Sequence, residues 1–97
     1  AAYKFKDAIR FIETTPKVLI VRMRQVPIID ATGIKTIEDV FKSSKHRGTT
    51  LILSETHSKQ LMAQLRESGL LASIGEENIV DEFAKALTRA DQLLSKQ

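Results

Sequence analysis

The chain has 97 residues, of which 42% are hydrophobic and 28% charged, enough for one domain with a single core and too regular in its apolar pattern for disorder. Fifteen basic side chains against twelve acidic ones give a net charge of +3, spread along the chain, and aromatics are only 5%. That pattern argues against a nucleic-acid partner, leaves room for a weak preference for anionic lipid headgroups, and with no cysteine excludes disulfides, thiolate metal sites and cysteine nucleophiles. No apolar run approaches the roughly 20 residues that span a bilayer, and the charged start does not resemble a signal peptide.

Residues 2–13 read as a helix, with Phe5, Ala8, Ile9 and Ile12 at helical spacing between charged positions. Pro16 ends it, because proline disfavours helix in the residue before it. Residues 18–23 follow as a strand whose continuous apolar start, Val18-Leu19-Ile20-Val21, predicts burial on both faces, as in a parallel sheet. A helix over residues 32–47 places Ile34, Ile37, Val40, Phe41 and Ser44 inward and ends in Lys45-His46-Arg47-Gly48, with cations in the last turn and a glycine for a left-handed cap.

Residues 50–53 read as a second buried strand. A helix over residues 56–68 buries Leu61, Met62 and Leu65, stops at Gly69, and lets Leu70-Leu71 fold back on it. Ile79-Val80 reads as a short third strand. A last helix, residues 81–95, is expected to turn Phe83, Ala84, Leu87, Ala90 and Leu94 inward. Strands alternating with helices through short loops predict an α/β fold: a small, mostly parallel sheet with right-handed crossover helices. Three strands make a thin sheet and the chain opens on a helix, so the expected domain, residues 1–97, is N-terminally incomplete and lacks one or two strands.

Ligands of such sheets gather at the carboxyl ends of the strands. Val26-Pro27-Ile28-Ile29-Asp30-Ala31-Thr32-Gly33 lies there, after the first strand and at the head of a helix. Asp30 or Thr32 can cap that helix, Gly33 permits close approach, and Pro27 stiffens the entry. Two readings stand side by side: a plain N-cap after a tight loop, and a surface for a partner, an anion or a phosphate built on the helix N-terminus.

Other constellations are bland. His46 and His57 sit at helix ends without the spacing or companions of a metal site. Glu76-Glu77 and Asp81-Glu82 suit the start of the last helix electrostatically and could also gather a cation. Ser54 and Ser58 have no histidine base in a recognisable arrangement, and no glycine-rich phosphate loop is present. Catalysis, a metal and a required cofactor are therefore not expected; weak nucleotide or anion binding at the loop is the most the residues support.

The stretch from Arg22 to Gly33 resembles the signature loop of the STAS family, the sulphate transporter and anti-sigma-factor antagonist domains. Gly48-Thr49-Thr50-Leu51-Ile52-Leu53-Ser54, Leu65-Arg66-Glu67-Ser68-Gly69-Leu70-Leu71, Ile74-Gly75 and the run from Asn78 to Leu87 are similar to its later segments, so the likeness covers nearly the whole chain. Free-standing antagonists carry Asp-Ser-Ser-Gly, with the second hydroxyl residue phosphorylated. Ala31 and the Val26-Pro27 pair instead resemble the cytoplasmic carboxyl-terminal domain of SulP-type anion transporters, and the short connection from Glu13 to Lys17 resembles the bacterial ones.

The resemblance implies a regulatory, protein-interaction domain on the cytoplasmic face of the inner membrane. Its partners would be the membrane domain of the same transporter, a second copy or a soluble cytosolic protein. It implies that residues 30–33 form the docking loop, with Asp30 and Thr32 as polar contacts beside Ala31 and Gly33, and that Thr32 is the position open to phosphorylation. Lys35, Glu38 and Asp39 would form the outward helix face next to it. The alternative it implies is a free-standing anti-sigma-factor antagonist switched at Thr32, and a nucleotide-binding module is a third reading.

Overall fold

The computed structural model describes residues 16–96; the expected first helix, residues 2–13, lies outside them. Two parallel strands, β1 (Val18–Arg22) and β2 (Thr50–Ser54), pair in register, Val18 opposite Thr50 through Arg22 opposite Ser54. Among the described residues the helices are α1 (Ala31–His46), α2 (Lys59–Glu67), the short α3 (Leu70–Ile74) and α4 (Phe83–Leu94), with a 3-10 turn at Glu76–Asn78. The α/β character and the parallel pairing match the sequence reading.

Alternation along the strands distributes the sheet's two faces. Leu19, Val21, Leu51 and Leu53 face a core shared with Ile37 of α1, Leu61 and Leu65 of α2, and Leu70, Leu71 and Ile74 of α3. Val18, Ile20 and Ile52 face α4, which brings Ala86, Ala90 and Leu93 against them. β2 is buried on both faces, as expected; β1 is only half-buried along Val18 to Val21, having one strand neighbour among the described residues.

Caps fix the helix ends. Gly48 takes φ +78. The amide of Gly48 donates to Lys45 O at 3.2 Å and that of Thr49 to Ser44 O at 2.8 Å, the paired bonds of a left-handed helix stop. Gly69, at φ +84, does the same service between α2 and α3, so Leu70 and Leu71 fold back into the core as predicted.

Three expectations need correction. The helix expected over residues 56–68 begins at Lys59, as α2, because the Ser58 side chain accepts from Leu61 N and is its N-cap. Ile79-Val80 is one parallel bridge to Leu53, not a strand: Val80 N donates to Leu53 O and Thr56 N to Val80 O. The chain then leaves the sheet through Asp81 and Glu82 to start α4 at Phe83. Finally, α4 turns Ala86 and Ala90 inward, while Ala84 is exposed and Leu87 and Leu94 are 48% and 47% exposed. Small side chains let the helix axis approach the sheet, and that close packing outweighs the burial that the two leucines would gain by rotating it.

Candidate functional site

Asp30 is the N-cap of α1: its backbone is extended, and Oδ1 accepts from Gly33 N at 2.8 Å. The Ile34 amide donates to Asp30 O at 3.0 Å. One of the orphan first-turn donors, Gly33 N, is thus satisfied inside the protein, and a carboxylate already stands at the positive end of the helix. Asp30, Ala31 and Thr32 are exposed at the carboxyl end of β1, as the sequence predicts. Thr32 O accepts from Thr36 Oγ1 at 2.9 Å, which engages its carbonyl and not its hydroxyl.

Gly33 packs against its own loop. It is buried, and a Cβ there would lie 3.1 Å from Ile29 Cβ and 3.4 Å from Asp30 Oδ1. The close approach seen here is that of Ile29, from within the loop.

Beyond the loop, Lys35, Glu38 and Asp39 lie on the outward side of α1 and are tied to one another. Lys35 Nζ reaches Asp39 Oδ1 at 3.3 Å and Glu38 Oε1 at 3.4 Å, and Lys42 reaches Glu38 at 3.4 Å. The hydrogen bond to Asp39, more than the one to Glu38, holds the Lys35 ammonium above the usual lysine range. This face offers a partner a neutralised ladder of exposed ion pairs, not a free cation.

Sequence reasoning missed what holds the loop. Gln64 of α2 accepts from Ile29 N at 3.0 Å through Oε1 and donates to Ile29 O through Nε2. Ser58 Oγ donates to Pro27 O and also accepts from Leu61 N at 3.2 Å. Between these two anchors Ile28 stands 57% exposed. Nothing local marks Gln64 for this part, since its partner is 35 residues away.

A second unforeseen cluster closes the same end of the sheet. Arg22 holds Glu55 with two bonds and lies 4.0 Å over the Phe83 ring. Glu55 is buried at φ +63, and Ser54 Oγ donates to it at 3.2 Å. Hydrogen bonding to Arg22 keeps its carboxyl below the ordinary glutamate range.

His46 and His57 are exposed. Asp81 pairs with Lys85 at 2.9 Å and Lys85 reaches Glu82 at 3.6 Å, ahead of α4 and across its first turn. Among the described residues no group of three or more His, Asp or Glu could hold a metal ion, and no helix is long and apolar enough to cross a membrane.

This geometry has close relatives. The family model for the STAS domain matches residues 1–86. The chain is 41% identical to a solved sulfate transporter family protein from Wolinella succinogenes, with a TM-score of 0.88 over 97% of this chain and 76% of that one. It is 31% identical to the STAS domain of a SulP transporter from Vibrio cholerae, with a TM-score of 0.82 over 99% of this chain and 74% of that one. No curated protein matches it. A loop of the STAS pattern at the lip of a parallel sheet, in a fold shared with two SulP-type structures, places the chain in the STAS domain family, on its SulP side.

Proposed function

We propose that the chain is the regulatory, protein-interaction domain of a bacterial SulP-type anion transporter, held at the cytoplasmic face of the membrane and non-catalytic. The observation that carries this reading is the exposed loop. Asp30, Ala31 and Thr32 sit at the carboxyl end of β1, fixed by a helix cap below and by α2 beside. A rigid, exposed, partly apolar loop loses little entropy on docking, which suits recognition. The partners that fit are the membrane domain of the same transporter, a second copy, or a soluble protein that reads this loop and the paired charges of α1.

Ala31 is a further support for the transporter reading, since the antagonist loop places a serine there. Thr32 remains the one exposed hydroxyl at the helix start that a kinase could reach. The decisive observation is the reading frame upstream of Ala1. Several apolar spans of about 20 residues there support the transporter domain. A start codon only about 15 to 20 residues upstream, too short a distance for several such spans, overturns it in favour of the free-standing antagonist.

A further inference from the structure

We infer that α2 is a clamp on the docking loop, working through Ser58 and Gln64 together, so that the loop and α2 behave as one cooperative unit. The contacts fall on alternate residues. Pro27 offers its carbonyl to Ser58, Ile29 gives both its N–H and its C=O to Gln64, and Ile28 between them points to solvent. This is the alternation of an extended strand, with the Gln64 carboxamide standing where a neighbouring strand's peptide group would be. The side chain of Ile29 is held as firmly as its backbone, packed on the core and pressed against Gly33.

No slack exists on either flank. Val26 N donates to Met23 O at 2.9 Å before the clamp, and Asp30 caps α1 immediately after it. Ser58 serves twice, since the hydroxyl that grips Pro27 O is also the N-cap of α2. A shift of the α2 N-terminus therefore cannot leave the loop in place. Residues 28–32 must follow it, and a ligand that covers the start of α2 acts on the docking surface without touching it.

The clamp deepens the docking role proposed above, yet its test needs no partner, so failure of one leaves the other standing. Hydrogen exchange of the intact chain separates the possibilities. Gln64→Leu removes both bonds to Ile29. Ser58→Asp keeps a capping oxygen for Leu61 but loses the donor to Pro27 O. Gln64→Leu should speed exchange of the Ile29 amide about tenfold, the loss of one or two net hydrogen bonds.

Ser58→Asp, which touches no bond of Ile29, should also speed the Ile29 amide several-fold, while the Ile52 and Leu65 amides of the core keep their rates. An Ile29 rate unchanged in Ser58→Asp overturns the cooperative clamp. So does acceleration of loop and core amides by the same factor in both variants, because that reports loss of global stability.

Discussion

Arg22, the last residue of β1, grips Glu55, the first residue after β2, at 2.6 Å through Nε and 2.8 Å through Nη2. Glu55 reaches this position only by taking a left-handed backbone, which L residues adopt at some cost. With Phe83 stacked under the guanidinium, the pair ties both strands to the start of α4. Because Arg22 lowers the Glu55 carboxyl below its unfolded value, the pair's contribution is complete above the ordinary glutamate range and disappears as pH falls through the depressed value. Asp81, lowered first by its bond to Lys85, adds a slope of the same sign. Thermal melting between neutral pH and about pH 3 should therefore show stability falling on acidification. Glu55→Gln should flatten part of that fall, and an equal slope in the variant would refute the assignment.

The Asp30 cap makes a separate prediction. Replacing Asp30 by alanine deprives Gly33 N of its acceptor and should cost about 1 kcal/mol in urea unfolding. Asparagine keeps an oxygen at the same place and should cost less. Equal losses for the two variants would mean that the charge at the helix end, not the bond, does the stabilising.

Much of this was legible because it is local. Asp30 followed by a helical pattern, Gly48 after a basic turn, and Gly69 before Leu70-Leu71 are signals within a few residues of what they cause. The structure departs from the sequence reading where tertiary contacts decide. Leu87 and Leu94 outweigh alanine on any hydropathy scale, yet Ala86 and Ala90 face Ile52 because the sheet demands close approach. Gln64 and Ser58 look like ordinary polar helix residues, and only the folded chain brings them to Ile29 and Pro27. Arg22 and Glu55 lie 33 residues apart and carry no mutual signature.

Gly33→Ala sets two known effects against each other. Alanine is favoured over glycine within a helix by about 1 kcal/mol. Against that, its Cβ would meet Ile29 Cβ at 3.1 Å, and crowding of this kind costs roughly 1–3 kcal/mol when the neighbour cannot move. Ile29 is pinned by Gln64, so the variant should lose about 1 kcal/mol net. In a Gln64→Leu background Ile29 can retreat, and the loss should shrink. A double-mutant cycle on chemical unfolding reads the coupling directly, and strict additivity would show that Ile29 is not pinned.

The rotation of α4 is testable at two adjacent positions. Ala86 is fully buried against Ile52, so Ala86→Leu overpacks the interface and should cost roughly 1–3 kcal/mol. Leu87→Lys changes an exposed side chain and should stay within about 0.5 kcal/mol of the parent. The reverse order of losses in thermal melts would mean that the helix presents its leucines inward after all.

Thr32→Glu separates docking from folding. Position 32 is in the first turn of α1, where the helix dipole favours a negative charge by about 0.3–1 kcal/mol at low salt. Asp30 lies two residues earlier with its carboxylate bound to Gly33 N, and repulsion between the two acids offsets part of that gain. The bond from Thr36 Oγ1 goes to the Thr32 carbonyl, so it survives the substitution. The melting temperature should hence move by no more than a few degrees in either direction. Docking is different, because the new charge sits in the middle of the exposed loop and any apolar or acidic partner surface must desolvate or repel it. In the transporter proposed above to contain this chain, the glutamate variant should change transport or crosslinking from this loop, whereas Thr32→Val, which removes the hydroxyl without adding charge, should change them less. Identical transport and crosslinking in parent, valine and glutamate forms, with the fold intact in all three, would remove Thr32 from the docking surface.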